Sequence, residues 1–402
     1  MPAKNASASA VSDAYPASIE QASRFAPFVR SLAHANTVES ANFTDQASAQ
    51  EPALEIPSML GTFRLFLALC VALSHANVQI AGLNPGVIAV VCFYLISGYV
   101  MTGLLRSHFP GRAHIGHFYL DRALRLMPQY LLIAGLTLIL YLVAKPATPF
   151  LAHAPALSDL LNNLLVVPLN WYMFNHSDSF TLIPPAWSLG AELQFYLLMP
   201  LLLLWRLRTF AFAVGLLVYL LAAWGMIDTN VYGYRLLPGV LTFFMLGSAL
   251  HDVRREDANK SRLIVGAAVL GSAACALVLW RFDHLSLLYN RETLLGTALG
   301  LPILLWLTRQ SPKAQQKSAS ANDRRIGPPR PWLDSRLGDL SYGVFLNHFL
   351  IQWSLTGVPS TPMGWAMYLS AIVALSAFTQ WLVERPVLAL RRHLRQRQAV
   401  QV

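Results

Sequence analysis

Residues 61–76 read GTFRLFLALCVALSHA and carry one arginine, Arg64, and one histidine, His75, in an otherwise apolar run. In an α-helix their separation of eleven residues is about three turns, which places both side chains on one face roughly 16 Å apart along the axis. Ionisable groups within a membrane segment are costly and are typically functional. The alternative interpretation is that Arg64 snorkels to one membrane surface while His75 lies at the other.

The composition of the whole chain is that of a polytopic membrane protein. Of its 402 residues, 55 % are hydrophobic and 12 % are charged, and the mean hydropathy is +0.45. Soluble domains average about a quarter charged residues. The three cysteines, Cys70, Cys92 and Cys275, lie in apolar segments without CxxC spacing, so they are interpreted as small buried hydrophobic residues.

Ten apolar stretches are long enough to span a bilayer, which requires about 17–25 residues each. The sequence therefore predicts an all-α membrane helix bundle of about ten transmembrane helices, with both termini on the same side. The predicted spans are 59–77, 86–105, 126–144, 188–205, 209–227, 235–252, 262–280, 293–309, 338–357 and 364–383.

The distribution of basic residues indicates which side that is. With the amino terminus in the cytoplasm, all but four of the 30 Lys and Arg residues fall in cytoplasmic segments, the exceptions being Lys145, Arg235, Arg281 and Arg291. Such a bias is typical of inner-membrane proteins. It predicts that both termini are cytoplasmic, and it explains the net charge of +10 through anionic membrane lipids, without nucleic acid as a partner.

Composition divides the chain into a membrane domain with flanking segments. Residues 1–56 are rich in Ala and Ser and predict a disordered cytoplasmic tail. Residues 57–386 form the predicted membrane domain. Within it, 145–186 is a long outer loop that we interpret as a re-entrant or interfacial lid, and 310–336 is a basic, Pro-rich cytoplasmic linker. Residues 387–402 predict a basic cytoplasmic tail.

Residues 116–128, GHFYLDRALRLMP, place Arg122 and Arg125 three residues apart before Pro128. This spacing predicts two guanidiniums on one face of a short cytoplasmic helix, a geometry suited to phosphate groups. Anchoring to anionic lipid head groups is the alternative. The neighbouring histidines lack partners at zinc-binding spacing, so no metal site is predicted.

Two further segments place polar residues inside apolar runs. Residues 184–200, PPAWSLGAELQFYLLMP, carry Glu192 about one turn into a span, after the interfacial Trp187. A buried carboxylate needs a partner, and His75 at a similar depth is one candidate. Residues 92–100, CFYLISGYV, contain Ser97 before a glycine. Ser97 and Trp187 are candidates for the lining of a site, and a close helix–helix contact explains the serine–glycine pair equally well.

At the start of the ninth predicted span, residues 337–351 read LGDLSYGVFLNHFLI. Ser341 and His348 are seven residues apart and fall on nearly one helix face, with Tyr342 beside them. These residues are candidates for the lining of a site. Their alternative role is an interhelical hydrogen bond.

Taken together, Arg64 with His75 and the motifs FYLISGYV, DRALRLMP, WSLGAELQFY and LGDLSYGVFLNH resemble the integral-membrane acyltransferase family 3. That family O-acylates bacterial polysaccharides, lipopolysaccharides and related glycosides. The similarity runs from about residue 59 to 386. It implies a multi-pass protein of the bacterial cytoplasmic (inner) membrane that transfers an acyl group, usually acetyl, from cytoplasmic acyl-CoA to a hydroxyl of a glycan or glycolipid acceptor.

The resemblance also implies roles for individual residues. His75 matches the catalytic histidine, Arg64 its paired arginine, and Arg122 with Arg125 the basic pair that handles the donor. Glu192 matches the acid of the tryptophan–serine motif. Acyl-CoA is then a co-substrate, and no permanently bound cofactor is expected.

Two departures from the family pattern bear on these expectations. The final motif has Phe345-Leu346-Asn347-His348 where many members have tyrosine and tryptophan, which weakens the carry-over for His348. No soluble hydrolase-like domain follows the last span, so the membrane domain or an unlinked partner must complete the transfer. Two functional alternatives stay open at this point: a transporter or flippase of a small solute or glycolipid, and transfer of succinyl rather than acetyl.

Overall fold

The computed structural model describes residues 59–309, 331–355, 357–389 and 391. Within these ranges the regular structure is helical, with two isolated β-bridges, Ile80 to Leu83 and Leu151 to Phe180. We number the principal helices in chain order as α1 Leu60–His75, α2 Pro85–His108, α3 Ile115–Ala144, α4 Leu157–Leu165, α5 Ala186–Leu204, α6 Arg208–Ala223, α7 Leu237–Glu256, α8 Ala258–Arg281, α9 Asn290–Arg309, α10 Pro331–Ser354 and α11 Pro362–Thr379.

Each of the ten predicted apolar spans coincides with one of these helices, α4 being the additional one. Six helical stretches in the described part of the chain are long and apolar enough to cross a membrane, which identifies a multi-pass membrane protein. Two other apolar helices, Leu60–His75 and Arg208–Ala223, are shorter than a typical span. The count of ten spans and the cytoplasmic position of both termini stay predictions, and residues 1–56 lie outside the described residues.

Three predicted boundaries are wrong because helices continue beyond the apolar runs. The helix predicted from residue 126 begins at Ile115 and includes Pro128, so Arg122 and Arg125 lie on this long helix and not on a separate short one. Residues 331–336, assigned to the 310–336 linker, form the first turns of α10, while 310–330 lie outside the described residues. Residues 387–389, assigned to the carboxyl-terminal tail, are helical as well.

The predicted outer loop, 145–186, is folded against the bundle. It contains α4 and three short helical turns, Val167–Trp171, Tyr172–Asn175 and Ser177–Ser179. The buried side chain of Asn163 bridges two backbone groups, donating to the carbonyl of Phe180 at 3.0 Å and accepting from the Leu182 amide at 2.9 Å. Because these bonds satisfy polar groups that are buried away from water, they hold the loop in a defined conformation. Its role as a lid stays a prediction.

Helices α1 and α10 are joined at the amino-terminal end of α1. The carboxylate of Asp334 accepts hydrogen bonds from the amides of Gly61 and Thr62 at 3.0 and 2.8 Å, and from the Thr62 hydroxyl at 2.8 Å. The first amides of a helix have no partner within the helix, and an acid there also offsets the helix dipole. A residue more than 270 positions away therefore provides the cap of α1.

Glycines allow α2 and α7 to cross with their backbones in contact. A β-carbon on Gly247 of α7 would lie 1.9 Å from the Leu95 carbonyl oxygen, and one on Gly98 of α2 would lie 1.9 Å from the Phe244 carbonyl oxygen. Such contacts between small residues are a main source of helix association in membranes. This crossing holds Ser97, beside Gly98, in the wall of the site described below.

We expect Gly247→Ala to destabilise the protein, because the added methyl would force α2 and α7 apart. Overpacking of this kind typically costs about 1–3 kcal/mol. Thermal unfolding of the purified protein in detergent measures the effect. Gly266→Ala is the matched control, since Gly266 lies within α8 and a β-carbon there meets no atom within 4 Å. Equal melting temperatures for the two variants would contradict the prediction.

Candidate active site

The imidazole rings of His75 and His348 form the centre of the candidate site. Nδ1 of His75 lies 2.9 Å from Nε2 of His348, and the two ring planes are within 4° of each other. His75 is the last residue of α1, and His348 lies within α10, fully buried. The same helix pair that is joined by Asp334 at one end is therefore joined by the two histidines at the other.

The backbone around His348 indicates which ring nitrogens carry hydrogens. Nδ1 of His348 lies 3.2 Å from the carbonyl oxygen of Val344. A carbonyl only accepts, so this Nδ1 donates, and in the neutral ring Nε2 of His348 is an acceptor. Nδ1 of His75 then donates to it, which leaves Nε2 of His75 without a hydrogen. This tautomer, inferred from the hydrogen-bond partners, gives His75 a free lone pair suited to accepting a proton.

His75 lies in the wall of a cavity of about 270 Å³, which we call the histidine cavity. The wall combines aromatic rings with polar and charged side chains, among them His75, Tyr172, Asp178, Trp187, Tyr234 and Arg235. Three of these come from the predicted outer loop and from the first turn of α5. The cavity is thus closed on one side by the 145–186 segment, and it is large enough for a ring-sized ligand group.

A second cavity, of about 140 Å³, lies along α1 toward Arg64. We call it the arginine cavity. It collects most of the residues predicted from the sequence, namely Arg64, Ser97, Arg122, Arg125, Glu192, Ser341 and Tyr342. The phenols of Tyr94 and Tyr196 also line it. Polar groups from five helices are therefore brought to one place inside the bundle.

The two cavities are adjacent. Val90, Ser188 and Phe345 line both of them, so a thin wall of three side chains separates the arginines from His75. Trp187 and His75 lie on one side of this wall, and the other predicted cavity-lining residues lie on the opposite side. His348 stands behind His75 as its hydrogen-bond partner.

Glu192 does not pair with His75, contrary to one interpretation of the sequence. Its carboxylate accepts a hydrogen bond from the Ser97 hydroxyl at 2.8 Å and another from the Tyr196 hydroxyl. Tyr196 is four residues further along α5 and so lies on the same face. Glu192 therefore faces the arginine cavity, and the position predicted for it beside His75 is taken by His348.

Arg122 and Arg125 are engaged with acids, which sequence spacing did not indicate. Arg122 pairs with the adjacent Asp121, a carboxylate that also binds Arg391 at 3.0 Å. Arg125 pairs with Glu384 and lies 3.7 Å from Asp339. These ion pairs lower the net positive charge available to a ligand.

Arg64 differs from the other two arginines of the cavity. Its side chain is half-buried, and no ion pair of Arg64 is found among the described residues. Its guanidinium therefore keeps its charge available within the arginine cavity.

Sequence reasoning missed Arg235 and the rings of Tyr172 and Tyr234 beside it. The guanidinium of Arg235 lies 4.4 Å from the ring centroid of Trp187 and 5.3 Å from that of Tyr172. Burial raises the pKa of the Tyr172 phenol, and the charge of Arg235 opposes that rise. One signal was available, since Arg235 is one of the four basic residues outside the predicted cytoplasmic segments.

Among the described residues, no group of three or more His, Cys, Asp or Glu side chains is arranged to hold a metal ion. The acid–base chemistry that the arrangement supports is carried by His75 with its partner His348. Charge recognition is available on both sides of the wall, from Arg64 in one cavity and from Arg235 in the other.

Comparison with known proteins gives the following matches. A family model described as an acyltransferase domain matches residues 60–383. A protein of Aquifex aeolicus (strain VF5) of uncharacterised function is 32 % identical over 217 residues, or 53 % of this chain and 90 % of that protein. O-acetyltransferase OatA of Staphylococcus aureus is 32 % identical over 162 residues, or 39 % of this chain but only 26 % of OatA. No solved structure matches the chain.

Proposed function

Because the chain belongs to the acyltransferase family matched over residues 60–383, we propose that it is a membrane O-acyltransferase that uses acyl-CoA as donor. In this proposal the acyl group, most simply acetyl, moves to a hydroxyl of a cell-envelope or exported glycan. The observation that carries the proposal is the His75–His348 pair, which opens on one cavity and is separated by three side chains from a second cavity rich in arginine.

His75 acts as the general base in the proposed reaction. Its free Nε2 takes the proton of the acceptor hydroxyl as the oxygen attacks the thioester carbonyl, and His348 accepts the hydrogen bond from Nδ1 of the resulting imidazolium. Collapse of the tetrahedral intermediate breaks the carbon–sulfur bond. The proton on His75 then passes to the departing CoA thiolate, so the products are the O-acyl ester and free CoA. General base catalysis of this kind typically contributes 10²–10⁴ in rate.

The arginine cavity takes the donor in this proposal. CoA carries phosphate groups, and guanidiniums bind phosphate oxygens through charge-assisted hydrogen bonds. Arg64 provides the available charge, while Arg122 and Arg125 shape the cavity with their acid partners. The hydroxyls of Ser97 and Tyr342 donate to Glu192 and to the Leu126 carbonyl, so their oxygens can accept hydrogen bonds from the amide N–H groups of the pantetheine arm, and Glu192 adds a further acceptor there.

The histidine cavity takes the acceptor. We infer that the donor arrives from the cytoplasm and the acceptor from the other face of the bacterial inner membrane, because the 145–186 segment closes the histidine cavity and belongs to the predicted outer side. Loop movement would then admit the glycan. A succinyl group is an acetyl group extended by a carboxymethyl group, and the choice of acetyl rests on the relatives named as O-acetyltransferases.

Transfer of label tests the proposed function directly. Purified protein in lipid vesicles is incubated with acetyl-CoA labelled in the acetyl group and with a membrane glycan extract. We expect label on glycan, with one free CoA released for each acetyl group transferred. Movement of solute or glycolipid across the vesicle membrane without label on glycan would contradict the proposal and favour a transporter or flippase.

We expect Arg64→Gln to raise the KM for acetyl-CoA about tenfold, because a hydrogen bond to a charged group contributes roughly 1.5–3 kcal/mol. The kcat at saturating donor should change little. Steady-state kinetics with varied acetyl-CoA provide the measurement, and Arg281→Gln, in an exposed arginine at the end of α8, is the matched control. An unchanged KM for Arg64→Gln would remove Arg64 from the donor site.

A further inference from the structure

Arg235 is held in the wall of the histidine cavity by three aromatic rings. Its guanidinium carbon lies 4.4 Å from the ring centroid of Trp187, 5.3 Å from that of Tyr172 and 5.5 Å from that of Tyr234. Each contact is within the range of a cation–π interaction, which restrains the position of the cation. Arg235 lines the cavity beside these rings, so its guanidinium is placed to meet a ligand that enters there.

Hydrogen bonds fix the same residue from behind. Nε of Arg235 donates to the Asn230 side-chain oxygen at 2.8 Å, and the backbone carbonyl of Arg235 accepts from the side chain of Asn170 at 3.0 Å. Asn170 is fully buried and also donates to the Trp187 carbonyl at 3.0 Å. One buried amide therefore sets the positions of both Arg235 and the ring beneath it.

The two terminal nitrogens of Arg235 have no hydrogen-bond or ion-pair partner among the described residues. Asp178, on the exposed rim, lines the same cavity but forms no ion pair with Arg235. A charged group without a partner in a cavity wall is costly unless water or a ligand satisfies it. The planar pair of terminal nitrogens matches the two oxygens of a carboxylate or a phosphate.

We propose that the acceptor carries an anionic group, a carboxylate or a phosphate ester, that binds the terminal nitrogens of Arg235 in the histidine cavity. This inference rests on the proposed function, in which the acceptor occupies that cavity. An acidic glycan fits the lining, because Arg235 takes the anion, Asp178 accepts hydrogen bonds from sugar hydroxyls, and Tyr289 with Phe349 adds apolar ring surface. His75 in the same wall then meets the hydroxyl that is acylated.

Matched pairs of acceptors test the inference. The carboxylate arm compares an oligosaccharide containing glucuronate with the same oligosaccharide after reduction of the carboxyl group. The phosphate arm compares a sugar-6-phosphate oligosaccharide with its dephosphorylated form. Calorimetric binding to the purified protein and transfer of labelled acetyl are measured for each. We expect at least one anionic probe to bind ten or more times more tightly than its neutral counterpart, and the arm that does so identifies the anion.

Variants of Arg235 connect that preference to the residue. Arg235→Gln should bind the anionic and neutral probes equally, and Arg235→Lys should keep part of the preference because it retains the charge. Arg291→Gln, in an exposed arginine of α9, should behave as the unsubstituted protein. If the Gln and Lys variants melt at the same temperature as the unsubstituted protein, their loss of preference is not a loss of folding.

Several outcomes overturn the inference. They are the absence of any preference for an anion in both arms, a preference that survives in Arg235→Gln, and an equal loss of kcat for anionic and neutral acceptors in that variant. An equal loss of kcat would indicate that Arg235 contacts the tetrahedral intermediate. Charge-dependent binding without acetyl transfer would support this inference and contradict the proposed function, whereas transfer without charge preference would do the reverse.

Discussion

His75→Ala is expected to reduce acyl transfer by about 10²–10⁴-fold, the typical contribution of a general base. The substitution removes the imidazole that lines the histidine cavity, while the arginine cavity on the other side of the shared wall keeps its lining. Donor binding should therefore be nearly unchanged. Single-turnover transfer of labelled acetyl and a separate measurement of CoA binding distinguish the two effects.

The control for this variant is His117→Ala. His117 is exposed on α3 and lines neither cavity, so its removal should leave transfer at the level of the unsubstituted protein. Near-normal turnover of His75→Ala would contradict the assignment of the base. A loss of CoA binding equal to the loss of transfer would instead indicate that His75 supports the fold of the donor site.

The second large effect is expected at His348, where substitution by leucine should lower kcat about 10- to 100-fold. Hydrogen-bond partners that orient a metal-binding histidine typically contribute such factors, and the same orienting role is expected here. Leucine cannot accept the hydrogen bond from Nδ1 of His75, so the free lone pair would no longer be held on Nε2. The imidazolium formed during the reaction would also lose its partner. The effect should fall on kcat, with KM for the donor little changed.

His348→Gln provides the test of this mechanism, because a glutamine side-chain oxygen can accept the same hydrogen bond. We expect it to recover a substantial part of the activity lost in His348→Leu. Full kinetics with both substrates and thermal unfolding are measured for both variants. If glutamine and leucine reduce kcat equally at equal stability, acceptance of the hydrogen bond is not what His348 contributes.

The fold was predictable to the extent that it depends on local hydropathy. Ten apolar runs correspond to ten helices, because the length and the apolar character of each run follow from its own residues and do not depend on which helices pack against it. Boundaries were less predictable, as at Ile115, where a helix begins eleven residues before its apolar part. Those turns bury the charged side chains of Asp121 and Arg122, and they are stabilised by the contact between Asp121 and Arg391, which lie 270 residues apart.

The site was predictable as a set of residue types but not as a set of contacts. Nine of the ten predicted residues line the two cavities, and His348, the tenth, bonds to His75. The pairing of acids and bases between helices depends on tertiary packing. Spacing in the sequence therefore could not show that His348, and not Glu192, is the partner of His75. Arg235 was missed because cation–π partners have no sequence periodicity. The catalytic and binding roles themselves stay predictions.

The contact between α1 and α10 has a consequence for biosynthesis. Helix α1 leaves the ribosome long before Asp334, which caps it, and long before His348, which forms the hydrogen bond with His75. Contacts between such distant parts of a chain form late in folding. On the proposed mechanism, a nascent protein that lacks residue 348 has no partner for Nδ1 of His75, and translation arrested before this residue is expected to yield a product with greatly reduced transferase activity.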